Sequence, residues 1–274
     1  MAIQENETPK RVVIKLGTNL VTNKDDRIIH TLLSKIVEQV AALHEQGIMS
    51  VLVSSGSVFA GKEVMGELNQ VTDKFISRQV YSAVGQPRMM RHFYSIFQIF
   101  GIRCAQVLTT KRDFSHGKHR KNMVNCYEGL LSQGIIPIAN EDDAVSLSMS
   151  AFTDNDELAA LVAELIQADK LIILSHMDGL YDRPPHEEGS LMIRHITSDQ
   201  HVDHYIEEPP FDEENIDLNR PGGMKSKMKV AKETAKKGIP TIIANGSLEN
   251  VILDIVEGKE VGTLVTKGPK PTAD

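Results

Sequence analysis

Cysteine is scarce in this sequence. Its two copies, Cys104 and Cys126, cannot build a disulfide scaffold or a cysteine-rich zinc site, and they fit a reducing, cytoplasmic setting. Positive charge is not in excess either, because 30 Lys and Arg face 37 Asp and Glu for a net charge of -7. A surface built for nucleic acid or an anionic membrane needs the opposite balance, so neither is expected as a partner. No apolar run approaches the roughly 20 residues that span a bilayer. The opening MAIQENETPK lacks the basic-then-apolar order of a signal peptide, so the Asn245-Gly-Ser247 sequon reads as incidental. Internal repeats and low-complexity tracts are also missing. With 41% hydrophobic residues, 274 positions suffice for one large α/β domain or two smaller ones with a sizeable core.

Short β-branched runs alternate with longer helical patterns. The runs are RVVIKL at 11–16, SVLVSS at 50–55, RCAQVL at 103–108, IIPIA at 135–139, KLIIL at 170–174 and PTIIA at 240–244. Each reads as a strand of a parallel sheet, apolar on both faces. Helical periodicity covers 31–46, 74–100, 118–132, 155–168 and 224–237, and Gly47, Gly101, Gly134 and Gly238 stand where left-handed helix ends favour glycine. The architecture expected is α/β, with helices on both faces of a mainly parallel sheet. Stretch 182–222 is rich in charge and proline and poor in periodicity, and reads as a solvated excursion or hairpin without chemistry.

Ligands of such sheets bind beyond the carboxyl ends of the strands, where this sequence places small and polar residues: Lys15 with Gly17-Thr18, Ser54-Ser55-Gly56, Asn140-Glu141-Asp142-Asp143 and Ser175-His176. Gly56 to Lys62 matches the spacing of a phosphate-binding P-loop, but the next residue is Glu63, where a magnesium-ligating hydroxyl is required, so the match is rejected. Two lysines tied to glycines are better phosphate signals. Lys15 ends the first strand beside Gly17, and Lys227 lies in the first turns of a helix opened by Gly222-Gly223. Such features also occur as plain caps and snorkelling lysines, so neither decides alone. Between them, Asp154-Asn155-Asp156-Glu157 begins another helix. A carboxylate there could cap the helix and also hold both ammonium groups, leaving net positive charge for a phosphoryl group.

Taken in order, Lys15-Leu-Gly-Thr, Val53-Ser-Ser-Gly56, Ser82-Ala-Val-Gly-Gln86, Asn140-Glu-Asp-Asp143, Asp154-Asn-Asp156, Gly179-Leu-Tyr181 and Gly222-Gly-Met-Lys-Ser-Lys227 resemble the glutamate 5-kinases of the amino-acid-kinase superfamily, from about residue 10 to 267. The resemblance implies a three-layer αβα sandwich with a mainly parallel sheet, and transfer of the ATP γ-phosphate to the glutamate side-chain carboxylate, the first step of proline biosynthesis. It implies one domain over 11–267 between tails at 1–10 and 268–274, with an acceptor part at 11–168 and a nucleotide part at 169–267. Lys15, Lys227 and Asp156 would be catalytic. Ser55, Gly56, Asp143 and Asn155 would hold glutamate. Lys15, Gly17, Ser175, His176, Gly222, Gly223 and Lys227 would face ATP, whose Mg2+ arrives with it and needs no protein cage. The segment around Gly85-Gln86 would close over the pocket. Also implied are a kinase-only form without a C-terminal RNA-binding-type domain, assembly as dimers or tetramers, and inhibition by proline. Thr153, His176 and Asp142 depart from the family pattern, which usually has Gly, Asp and Asn there. Other readings keep the fold with another acceptor (aspartate, N-acetylglutamate, carbamate or a nucleoside monophosphate), or make the chain a silent amino-acid sensor.

Overall fold

The computed structural model describes residues 8–22, 28–66, 68, 73–146, 152, 154–202 and 223–268. The elements run β1 (Arg11–Leu16), α1 (Thr18–Val21), α2 (His30–Glu45), β2 (Met49–Val53), α3 (Ser57–Met65), α4 (Lys74–Ile99), β3 (Arg103–Thr109), a 3-10 turn (Lys111–Phe114), α5 (Lys118–Ser132), β4 (Ile135–Glu141), α6 (Asn155–Leu165), β5 (Lys170–Ser175), β6 (Leu180–Tyr181), β7 (Met192–Ile193), β8 (His195–Thr197), α7 (Met224–Lys236), β9 (Thr241–Asn245), α8 (Val251–Val256) and β10 (Thr263–Thr266).

Alternation along the strands builds two cores. Val12 and Ile14 of β1 enter one and Val13 the other, and all three are fully buried. A strand apolar on both faces has to be covered on both. Residues of α2, α4 and α8 fill the first core, and residues of α5, α6 and α7 fill the second, so the layers are helix, sheet, helix as expected. Eight strands form one sheet in the order β3-β4-β2-β1-β5-β9-β10-β8, and β6 pairs with β7 apart from it. All neighbours are parallel except β9 and β10. The chain fills one side of β1 before β5 takes its place on the other, so the crevice outside the carboxyl ends opens at β1 and β5.

Two expectations need correction. Strand β3 is an edge strand, with Arg103, Gln106 and Leu108 exposed, and is not buried on both faces. In stretch 182–222 the expected hairpin is present, β7 pairing with β6, but β8 also adds an edge strand to the main sheet, which was not expected, while 203–222 lies outside the described residues. The four helix-ending glycines all have positive φ, as anticipated.

The Gly56-to-Lys62 stretch is helix from Ser57 onward, so it cannot be a phosphate-cradling loop. Gly61 serves packing instead. A Cβ on Gly61 would overlap the Tyr81 carbonyl, and one on Gly85 would overlap the Ser57 carbonyl, so α3 and α4 meet backbone to backbone. Replacing Gly85 by Ala should therefore lower stability by about 1–3 kcal/mol in urea unfolding through overpacking. Replacing exposed Gly129 of α5, where a Cβ meets open space, should raise it by about 0.5–1 kcal/mol.

Candidate active site

Strand β1 carries Lys15 one residue before its end, and α6 starts beside it. Asp154 caps α6 by accepting from the backbone N–H groups of Asp156 (2.9 Å) and Glu157 (3.1 Å). That cap fixes the first turn and turns Asp156 inward. The Asp156 carboxylate has no exposed surface. Its Oδ1 lies 2.7 Å from Lys15 Nζ and its Oδ2 lies 3.1 Å from Lys227 Nζ. The two lysines are only 5% and 7% exposed, so both ammonium groups are held nearly out of water by one acid. Burial pushes the Asp156 carboxyl up, but the charges of Lys15 and Lys227 together outweigh that and hold its pKa below the ordinary carboxylate range. One anion thus brings two cations together at the carboxyl end of β1.

The residues on either side of Asp156 make different attachments. Ser226 Oγ donates to Asp154 Oδ2 at 2.6 Å, locking the start of α7 to the start of α6. The Asn155 amide donates to Ser54 O (2.8 Å), Ser55 Oγ (2.9 Å) and Asn140 Oδ1 (2.9 Å), gathering the ends of β2 and β4. Glu157 pairs with Lys111 at 2.5 Å. Three acids within four residues thus go to different partners, Asp156 taking two of them.

Gly17 N donates to Leu174 O at 3.1 Å across the β1/β5 junction, and a Cβ there would lie 3.0 Å from that carbonyl and 3.9 Å from Lys15 Nζ. Glycine keeps that backbone open beside the ammonium group. Gly56 caps α3 at a φ of 100°, and a Cβ would press on Val21. Ser175 is buried at the end of β5, its carbonyl accepting from Gly246 N at 2.9 Å, and His176 is exposed just beyond. Gly223 caps α7 and its carbonyl accepts from Lys227 N at 3.2 Å. Gly222 and Thr153 lie outside the described residues. Gly85 and Gln86 sit inside α4, where Gln86 Nε2 donates to Glu141 O at 3.3 Å, so they are part of the wall. The Asp142 carboxylate accepts from Ala144 N at 3.2 Å and shapes its own turn.

Asp143 is buried and already occupied: Arg78 Nη2 lies 2.8 Å and Nε 2.9 Å from Oδ1, and Ser82 Oγ donates to Oδ2 at 3.1 Å. Sequence reasoning missed Arg78 as a site residue, along with Ser226. The one signal was helical spacing, since residues 78 and 82 share a face of α4. Beside Asp143, Glu141 is pushed up by burial and then by the Asp143 charge. Among the described residues no group of three His, Cys, Asp or Glu could hold a metal ion, and no helix is long and apolar enough to cross a membrane.

Asp156→Asn would leave two buried cations without their counter-charge. It should cost about 3–5 kcal/mol in urea unfolding at pH 7. Because the folded pKa of Asp156 is depressed, its contribution is complete above the unfolded carboxylate value, about 4, and is lost as pH falls through the lower folded value. The gap between wild type and variant should accordingly narrow only below about pH 4.

Known proteins resemble this chain to different depths. The sequence profile of the amino acid kinase family matches residues 10–245. Glutamate 5-kinase of Bacteroides thetaiotaomicron is 38% identical over 247 residues, 90% of this chain and 67% of that protein. Glutamate 5-kinase of Alkaliphilus metalliredigens is 34% identical over 260 residues, 94% of this chain and 96% of that protein. Among solved structures, UMP kinase from Bacillus anthracis superposes with a TM-score of 0.64 at 16% identity, covering 96% of this chain and 98% of its own. Isopentenyl phosphate kinase from T. acidophilum gives 0.65 at 15%, covering 93% and 99%; likeness at that identity speaks for the fold alone. The sequence relatives go further, and with them the chain belongs to the amino acid kinase family and, within it, to the glutamate 5-kinases.

Proposed function

We propose that this protein transfers the γ-phosphoryl group of ATP to the side-chain carboxylate of L-glutamate, giving γ-glutamyl phosphate and ADP, the phosphorylation that opens proline biosynthesis. The observation that carries the reading is the buried cluster of Lys15, Asp156 and Lys227, with two ammonium groups brought together on one carboxylate. Phosphoryl transfer needs little covalent help from the protein. It needs the reacting oxygens in line and the charge on the transferring group offset.

Lys15 and Lys227 offset that charge, and Asp156 keeps their ammonium groups aimed at one place. Gly17, Gly222 and Gly223 let backbone approach the phosphates, and Ser175 and His176 lie on the nucleotide side, in the part formed by residues 169–267. Ser55, Gly56, Asp143 and Asn155 hold glutamate in the part formed by 11–168, with Asp143 taking its ammonium group. The attacking γ-carboxylate is ionised at neutral pH, so no general base is required. Magnesium travels with the nucleotide, keeps several waters, and offsets phosphate charge. Cytoplasmic location, assembly as dimers or tetramers and inhibition by proline belong to the same reading, supported by the family resemblance.

ATP-dependent hydroxamate formation in hydroxylamine, compared across glutamate, aspartate, N-acetylglutamate, carbamate and a nucleoside monophosphate, tests it. Glutamate should be preferred clearly, and preference for another acceptor would overturn the substrate assignment. Lys227→Ala should lower turnover at least ~10²-fold, the usual scale for losing one well-placed transition-state contact. Turnover within a few-fold of wild type would rule out the clamp.

A further inference from the structure

We infer that Glu141 is a positioning residue of the acceptor site, its buried carboxylate joining the charge on Asp143 to the entry of α6, so that binding of the amino-acid acceptor releases a proton; this rests on the acceptor assignment above. Glu141 closes β4 and is only 4% exposed, and Asp143 follows two residues later at 8%. Two carboxylates are thus taken into the interior together. The cation beside them is not shared evenly. Arg78 contacts Asp143 directly, with Nη2 at 2.8 Å and Nε at 2.9 Å from Oδ1, whereas among the described residues no Lys or Arg pairs with Glu141.

Glu141 Oε1 instead accepts from the backbone N–H of Phe152 at 3.1 Å. Phe152 stands two residues before Asp154, the cap of α6, and its fully buried ring meets Phe114 edge-on with centroids 5.9 Å apart. The carboxylate therefore ties the end of β4 to the start of α6. Its backbone is held as firmly: the N–H donates to Asn140 Oδ1 at 2.9 Å, which also accepts from Asn155 Nδ2, and the carbonyl accepts from Gln86 Nε2 at 3.3 Å. A carboxylate anchored this way has its ionisation set by the charges around it. Those are Asp143 from its own turn and Arg78 from α4, while its register partner on β3, Thr109, is uncharged. Burial and then the Asp143 charge hold the Glu141 carboxyl above its ordinary range, and Arg78 offsets part of that. An acceptor that sets its ammonium group on Asp143 adds a positive charge beside the pair. That charge favours ionised Glu141, whose proton leaves for solvent. By linkage, acceptor binding is strongest above the pKa of Glu141 in the free enzyme, and weakens as pH falls through it toward the lower value in the complex.

A purely structural role competes with this one, in which Glu141 only braces Phe152. Glu141→Gln separates the two, because its amide oxygen still accepts from the Phe152 N–H but the side chain no longer titrates. With ADP release as the assay, kcat and KM for glutamate are measured from about pH 5.5 to 8, a range in which the carboxylates of free glutamate stay ionised. In wild type, KM should rise at least ~3-fold on acidification while kcat changes little. Glu141→Gln should hold one KM throughout, close to the wild-type value at the acid end. Curves for the two proteins that run parallel would make Glu141 a brace and overturn the inference. Calorimetric titration of wild type with glutamate, in buffers of different ionisation heat over the same range, decides the matter if the variant does not fold. Net proton release upholds the inference, and binding without release at every pH overturns it. Wild type that neither binds nor phosphorylates glutamate would instead remove the functional reading, and this inference with it.

Discussion

One carboxylate shared by two ammonium groups is the constraint on which this site depends. Either lysine buried alone would be pulled toward its neutral form, and Asp156 buried alone would be pushed toward protonation. Together, the two ammonium charges hold the Asp156 carboxyl below its ordinary pKa despite its burial. Buried ion pairs are not a reliable source of stability, since the desolvation of the partners consumes much of the attraction. What this one fixes is position: β1, α6 and α7 must converge for Lys15, Asp156 and Lys227 to meet at 2.7 and 3.1 Å.

Residues 154–156 distribute that convergence over the whole active face. Asp154 binds Ser226 of α7, Asn155 gathers the ends of β2 and β4, and Asp156 joins β1 to α7. Successive residues at the start of a helix point about 100° apart, so three adjacent side chains can address three different neighbours. The Lys15–Asp156–Lys227 cluster and the ends of β2 and β4 are thereby held by one helical turn. A shift of α6 would disturb both at once, which explains why so much hydrogen bonding is invested in its first residues.

Much of this was legible in the sequence, for reasons that also mark where legibility stopped. RVVIKL became a strand at its expected limits because every residue after Arg11 is buried, the apolar ones in the two cores and Lys15 against Asp156. Lys15, Asp156 and Lys227 could be singled out because strand ends and helix starts are where an α/β fold exposes chemistry. Strands β8 and β10 were missed, being three and four residues long and too short to show periodicity. Helix α3 was hidden inside a glycine-containing stretch whose spacing imitated a loop, although its Gly61 exists for contact with α4. Arg78 drew no notice in the sequence, lying within a long helical pattern. Its partner is 65 residues away, and no local pattern reports a contact that only the folded sheet creates.

The most direct test of the central claim is a double-mutant cycle on kcat with Lys15→Ala, Lys227→Ala and the two combined. If Asp156 binds the two ammonium groups into one unit, the combined variant should lose little more than the worse single variant, as residues acting together do. Losses that multiply, so that the double variant falls by the product of the two single effects, would show the lysines working independently and contradict the account.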